Sequence, residues 1–348
     1  MSGIFTAAFY LLVMVFVFGI LIFIHEFGHF FTARKCGVPI KEFAIGMGPT
    51  LFSWKSKKYD TKYALRAFPI GGFVSMVGED EASDDVNAFC NKKVWQRMLI
   101  TVAGPLMNLI LGFILMLTVV LMQGSVATTQ IKAFDEGALS STHLQVGDVV
   151  VEVDGTRVKT GNELLYEIMN QGYEPIDLVV KRNGEKIELN DVVFPTFEEQ
   201  GVIFGDMDFS IVVQRQTFWG AISQTFTRSV STVKMVVDSF VGLLSGRFGI
   251  DAMSGPIGVA EVVGEAAKTG ILNFLYIVTV LTINLGVFNL IPFPALDGGR
   301  FLFLIIEGIR RKPINKNVEA YINFVGIMLL FGLMIFISFK DVLKLIFR

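Results

Sequence analysis

The sequence predicts a polytopic α-helical membrane protein with about four transmembrane helices, a membrane-associated β loop and one inserted α+β domain. Three observations predict it. The 348 residues are 52% hydrophobic and only 18% charged, with a mean hydropathy of +0.58, outside the usual range of a soluble globular chain. Four runs free of Asp, Glu, Lys, Arg and His are long enough to cross a hydrocarbon core: Ile4 to Ile24, Met98 to Met122, Ile271 to Leu296 and Ala320 to Phe339. Between the second and third runs the composition is that of an ordinary soluble domain. Buried core helices would need a large soluble domain around them, and too little polar sequence is left to build one.

Residues 1–34 form the first span, which lacks the basic start and small-residue cleavage site of a signal peptide and is expected to be retained. The loop at 35–97 is rich in cations. Of the 30 Lys and Arg, eleven fall within the 64 residues from Arg34 to Arg97, against eleven in the 148 residues from Gln123 to Gly270. The denser loop is expected in the cytoplasm. Both termini and the second loop then lie outside, and a third loop at 301–319 lies inside. Arg300, Arg310, Arg311, Lys312 and Lys316 agree with that orientation, while Lys340, Lys344 and Arg348 run slightly against it. A net charge of −2 gives no basic footprint for nucleic acid. Cys36 and Cys90 sit in the expected cytoplasmic loop, where thiols stay reduced, so no disulfide is expected.

Within that loop, residues 63–80 read YALRAFPIGGFVSMVGED. The segment is apolar, yet Pro69 and the Gly71-Gly72 pair suit an extended hairpin and not a helix. It can dip into a membrane only where protein or a water-filled cavity satisfies its backbone. The second span covers 98–122. Residues 123–195 then read as short strands and one helix, NELLYEIMNQ, with Asn183-Gly184 as a tight hairpin signal. Val146-Gly147-Asp148, an apolar strand and Asp154-Gly155 follow the order of elements in a PDZ domain, which this region resembles. PDZ domains bind peptide ends or extended partner segments by adding a strand to an exposed edge.

Residues 196–270 are expected to be an extracytoplasmic amphipathic helical region. Ile222, Phe226, Val230, Val233, Val237, Phe240 and Leu244 recur at spacings of three and four, with Gln224, Ser231 and Asp238 opposite. Such a helix lies on the outer membrane surface or packs under the inserted domain. The third span, 271–300, is broken near its end by Pro292 and Pro294. The fourth covers 320–340.

The chemistry concentrates at two places. ILIFIHEFGHFF puts His25 and His29 four residues apart on one helix face, where two imidazoles can share one zinc ion, with Glu26 beside them as a base for activating water. Two of only three histidines occur here, at the end of an uncharged span where ionisable groups are expensive. Two ligands leave zinc one protein donor short of a catalytic site. Asp297, in NLIPFPALDGG, is the acidic group embedded in apolar sequence on the same expected membrane side. The alternative is that Asp297 merely caps the helix that follows.

HEFGH in the first span, GPLMN at 104–108 in the second, one PDZ-like domain and NLIPFPALDGG at 289–299 resemble the site-2 protease family of intramembrane zinc proteases. Within it, the order of parts resembles the bacterial regulator of sigma-E protease group. The resemblance implies Zn2+ as cofactor, His25, His29 and Asp297 as its ligands and Glu26 as catalytic base. It implies that Asn289 stabilises the oxyanion and that Pro292 holds substrate. The Tyr63 to Met76 segment, with Gly71, Gly72 and Phe73, resembles the family's loop that pairs with an unwound substrate strand. Single-span membrane proteins would be the substrates, in a bacterial cytoplasmic (inner) membrane, with the active site near the cytoplasmic face. Gly104 and Asn108 equally fit ordinary small-residue helix packing. One departure is the single PDZ-like domain, since the best-known member of the narrower group has two in tandem. Two other classes of reading are a membrane-anchored PDZ scaffold with a non-catalytic metal site and a zinc transporter; the latter lacks further ligands along the spans.

Overall fold

The computed structural model describes residues 2–79, 81, 83–199, 201–215, 217–247, 249 and 253–346. Asp80, the last residue of the expected β segment, and the late cation Arg348 lie outside the described residues. The chain divides into two compact units, Met1–Gly112 with Ser254–Arg348, and Phe113–Met253.

The first unit holds helix α1 (Ser2–Lys35), strands β1 (Ile40–Lys55) and β2 (Lys62–Met76) and the start of α2 (Val94–Gln123). Among the described residues four helices are long and apolar enough to cross a membrane: Ala8–Lys35, Val94–Gln123, Ile271–Leu290 and Lys316–Leu343. Their surfaces stay apolar outward, with Leu12, Phe16, Ile114 and Phe336 more than half exposed. That is what a lipid solvent selects.

Strands β1 and β2 form an antiparallel hairpin whose arms each double back. Residues Glu42 to Ile45 therefore sit between Gly72 to Ser75 on one side and Lys62 to Leu65 on the other. Gly46 and Gly48, with φ of +85° and +84°, let β1 bend across Phe68. The sequence places an extended segment at Tyr63–Met76, and the structure supplies its partner from Ile40–Lys55. The turn joining them lies at 56–61 and not at Gly71-Gly72. A core of Phe30, Ala33, Val38, Phe43, Val74, Phe89 and Ile100 binds this sheet to α1 and the first turns of α2. At its aromatic centre the Phe30 and Phe43 rings lie 5.0 Å apart.

In the second unit, β3 (Ser125–Phe134), β4 (Val149–Val153), β5 (Thr156–Arg157), α3 (Gly161–Gln171), β6 (Ile176–Arg182), β7 (Glu185–Val192), β8 (Thr196–Glu199), β9 (Val202–Gly205), β10 (Phe209–Arg215) and α4 (Phe218–Leu244) follow in order. The main sheet runs β10-β3-β4-β6-β7, with β5 paired to β4 and β8 to β9 in a separate ribbon. Its core is Ile131, Leu144, Val150, Leu164, Ile168, Val180 and Phe194 among others. Asn183 and Gly184 both take positive φ, 52° and 91°, making the tight turn between β6 and β7. Thr160 and Glu163 cap α3 reciprocally, at 3.2 and 3.1 Å. Strand β10 pairs with β3, so the sheet is completed by residues beyond 195.

Helix α4 forms where its periodicity places it, and the face it buries is the polar one. Ser231 donates to Glu163 (2.5 Å), Lys234 pairs with Glu167, and Tyr166 donates to Asp238 (3.3 Å), so its polar side meets α3. Phe226, Val230, Val237 and Leu244 are exposed. Periodicity identifies a helix and its stripes; it does not say which stripe meets protein when the outer solvent can be lipid.

Back in the first unit, α5 (Pro256–Thr269) and α6 (Ile271–Leu290) precede α7 (Asp297–Arg310) and α8 (Lys316–Ile346). Between α6 and α7 the chain reverses tightly. Ala295 has φ of +73°, and its N–H donates to Asn323 Oδ1 of α8 at 3.1 Å. A Cβ on Gly298 would lie 2.2 Å from the Ile291 carbonyl oxygen, and one on Gly299 would lie 2.3 Å from that of Phe293. The Gly298-Gly299 pair is thus the floor on which the broken helix end rests.

Candidate metal centre

His25 and His29 occupy successive turns of α1 and are both buried. Their Nε2 atoms lie 3.2 Å apart. Asp297, the first residue of α7, brings Oδ2 to 3.0 Å from His25 Nε2 and 3.3 Å from His29 Nε2. The capping alternative is not realised, because Leu296 holds the N-cap position and no side chain caps this helix.

Helix α2 holds both rings from behind. Pro105 sits inside it and removes the N–H that would meet the Thr101 carbonyl. One residue earlier, the Ile100 carbonyl accepts from His29 Nδ1 at 2.9 Å. That bond fixes the proton on Nδ1 and leaves Nε2 with a bare lone pair. A Cβ on Gly104 would fall 2.2 Å from His29 Nε2, so only glycine admits the ring there. Asn108, fully buried, lies 3.4 Å from His25 Nδ1 through its carboxamide nitrogen, and its Oδ1 has no partner. A half-turn of the amide gives Oδ1 the Nδ1 proton, satisfies the orphaned oxygen and frees His25 Nε2 as well.

Three electron-pair donors therefore converge. Asp297 Oδ2 is buried with no hydrogen-bond donor of its own. A proton on one ring could link two of the three atoms, whereas a cation links all three. Tetrahedral zinc with ligand bonds of roughly 2.0–2.1 Å spaces its donors about 3.3 Å apart. Observed edges of 3.0, 3.2 and 3.3 Å match one face of that tetrahedron. The residues fit the metal that their spacing implies.

A cavity of about 270 Å³ opens onto this cluster, lined by Glu26, Phe73, Met76, Glu79, Thr101, Asn289 and Arg300 besides the three donors. Glu26 passes beneath β2 at Gly72, where an added Cβ would meet its Cγ at 3.2 Å. Asn289 lines the cavity from α6; one amide N–H donates to the Leu285 carbonyl at 2.8 Å and the other is left for a second acceptor. Phe73 reaches the cavity, whereas Gly71, with φ of +87°, lies beside Met47. Pro292 is exposed on the broken helix end and does not line the cavity. His143 is on the surface of the second unit, paired with Thr142 at 2.9 Å. The sequence left Ile100 unremarked, marked Arg300 only as a loop cation and Glu79 only as part of the 63–80 segment, and gave Gly104 and Asn108 only as an ambiguous motif.

Paired imidazoles, an adjoining carboxylate and a third donor from an interrupted helix, all within a bundle of lipid-compatible helices, define the class of membrane-embedded metal-dependent hydrolases. The comparison with known proteins gives the particular family. The sequence profile of peptidase family M50 matches residues 13–333, and the chain belongs to that family. It is similar to a putative zinc metalloprotease of Fusobacterium nucleatum, 34% identical over 340 residues, covering 96% of this chain and 98% of the relative. A putative zinc metalloprotease of Clostridium acetobutylicum is 33% identical over 335 residues, covering 96% and 97%. The regulator of sigma-W protease RasP of Bacillus subtilis is 28% identical over 412 aligned positions, covering 94% and 97%.

Proposed function

We propose that this chain is an intramembrane zinc metalloprotease that hydrolyses peptide bonds in the membrane segments of single-span proteins, with His25, His29 and Asp297 as ligands and Glu26 as base. The observation that carries this reading is the convergence of two imidazole nitrogens and a carboxylate oxygen at zinc-like spacing beside a half-buried glutamate. When bound, zinc acts as a Lewis acid toward water and the scissile carbonyl. Glu26 takes a proton from the attacking water and returns it to the leaving amine. The free amide N–H of Asn289 stabilises the carbonyl oxygen as it gains charge.

A helix hides its carbonyls in its own hydrogen bonds, so a substrate must unwind before attack. The Gly72 to Met76 stretch of β2 borders the cavity and supplies replacement backbone partners, with Gly71, Gly72 and Phe73 in contact with the extended segment and Pro292 guiding its approach. Residues 123–195, continued by β10, act as an extracytoplasmic PDZ domain; the capped helix, the turn at Asn183-Gly184 and the strand order support that assignment. With the apolar stripe of α4 on the membrane surface, this domain admits substrates already shortened on their outer side. The cation asymmetry supports a cytoplasmic-face active site in a bacterial inner membrane, and the likeness to a regulator of sigma-W protease supports a regulatory substrate such as an anti-sigma factor or remnant signal peptide.

The test is cleavage of a model single-span substrate lacking its outer domain, by wild type and Glu26→Gln side by side. Cleavage by wild type alone is expected. Equal cleavage by both would overturn the mechanism.

A further inference from the structure

The cavity contains one ion pair that the proteolytic reaction does not use. Arg300 lies one turn after Asp297 on α7, and its Nη1 donates to Glu79 Oε1 at 2.5 Å while Nη2 donates to the Glu79 carbonyl at 3.2 Å. Glu79 Oε2 in turn accepts from the Met76 backbone N–H at 3.1 Å. Met76 is the last residue of β2, where the ladder closes on Ile40. The guanidinium also lies over the Phe89 ring, 4.8 Å from its centroid. These contacts tie the side chain to the end of the cavity-lining strand and to the turn at Phe89 that follows it.

Helix α7 is held from a second point. Glu307, two turns further along, makes a bidentate pair with Arg97 of α2 at 2.5 and 3.0 Å. Residues 300 and 307 share a helix face, so one side of α7 is tied to β2 and to the helix that backs the metal ligands. Taking such charges partly out of water is costly, and apolar packing of the same volume is often as stable. What an ion pair adds is a fixed distance and direction, here between the strand and the helix that carries Asp297.

We infer that Arg300 and Glu79 are positioning residues that lock strand β2 at a set distance from the metal-binding Asp297, so that a peptide paired with β2 presents its carbonyl at the metal centre. This rests on the reading of β2 as the substrate-presenting strand. The pair acts as a unit. Losing either member frees the strand end, and losing the second adds little.

The experiment uses the full chain in detergent, the single-span substrate lacking its outer domain, and four variants: Arg300→Gln, Arg300→Lys, Glu79→Gln and the double Arg300→Gln/Glu79→Gln. Zinc per chain and kcat/KM are measured for each. Zinc is expected to stay at one per chain in all of them. For Arg300→Gln and Glu79→Gln, kcat/KM should fall roughly tenfold, the size of one charge-assisted hydrogen bond. Arg300→Lys, which keeps the ion pair but not the fork to the carbonyl, should fall less, and the double variant should match the singles. Independent, multiplying losses would overturn the clamp, as would no loss, or a loss in Arg300→Gln alone, which would make Arg300 a direct substrate contact. Loss of zinc together with activity would overturn it too, assigning the pair to upkeep of the metal site. Glu26→Gln is run beside them: if it cleaves as wild type does, the proteolytic reading itself has failed, whatever the four variants show.

Discussion

Substituting Gly104 by alanine tests the metal centre through a residue that contacts no substrate and donates no ligand. The added Cβ would lie 2.2 Å from His29 Nε2, 2.6 Å from Cε1 and 2.7 Å from Cδ2, where ordinary contact begins at 3.4 Å. The ring must therefore retreat by 3.4 − 2.2 = 1.2 Å or the helices must part. Neither is free. His29 Nδ1 is tied to the Ile100 carbonyl on the same helix, and at Gly28 the α1 backbone already rests on α2, where a Cβ would come within 2.3 Å of the Ala103 oxygen. A 1.2 Å displacement is more than a third of the 3.3 Å between His29 Nε2 and Asp297 Oδ2. Overpacking of this kind costs roughly 1–3 kcal/mol in stability. A misplacement near 1 Å costs about a hundredfold in rate. Gly112→Ala is the control, because its Cβ would meet Ile283 at 2.5 Å, two turns along α2 from Gly104. Both variants should lose comparable thermal stability in detergent, and Gly104→Ala alone should bind well under one zinc per chain by elemental analysis. A Gly104→Ala protein with full zinc and wild-type cleavage would refute the placement of His29 as a ligand.

Three further perturbations follow the same logic. Asn108→Leu removes the polar partner of His25 Nδ1 and should weaken zinc roughly 10- to 100-fold in chelator competition, whereas Asn108→Asp, which can still accept that proton, should weaken it less. Asp148 is 1% exposed and accepts from Arg182 at 2.7 and 2.8 Å and from the Gln145 N–H at 2.9 Å; Asp148→Ala should destabilise the second unit by about 3 kcal/mol, read as faster limited proteolysis within 113–253 while zinc content holds. Burial first, and then the Asp238 carboxylate, push the Tyr166 hydroxyl above its usual range. A neutral hydroxyl that donates to Asp238 stabilises the fold fully below the unfolded value, near pH 10, and loses that contribution as pH rises toward the folded one. The melting temperature should be flat from about pH 7 to 9 and then decline, and Tyr166→Phe should lack the part of the decline due to this group; identical profiles for both proteins would remove Tyr166 from the account.

The site was more legible than the scaffold, for a physical reason. His25 and His29 lie one turn apart on one helix, so spacing alone brings them together. Asp297 stands out as a charge inside apolar sequence next to prolines that must break a helix. By contrast, β1 hides because its alternation fails at Gly46, Gly48 and Pro49, where the strand bends instead of continuing. Arg300 with Glu79 and Arg97 with Glu307 are 221 and 210 residues apart, and no local pattern announces such partners. Helix α4 shows the limit of periodicity: the spacing marks two faces, and the buried face is the one with Thr225, Arg228 and Thr232.

The second span deserves a different reading from the one its small residues invite. Ile100, Gly104 and Asn108 recur every four residues and so form one stripe along α2, as His25 and His29 do along α1. The order of contacts, His29 with positions 100 and 104 and His25 with position 108, makes the two helices antiparallel, as consecutive spans must be. A carbonyl, a gap and a carboxamide on one helix thereby match two imidazoles on the other. The proposed metal centre is then a property of a helix interface, not of a motif carried on one helix. Its affinity must depend on how closely α1 and α2 pack, and Asp297, arriving from a separately braced helix, closes a site whose other two donors have been oriented before it arrives.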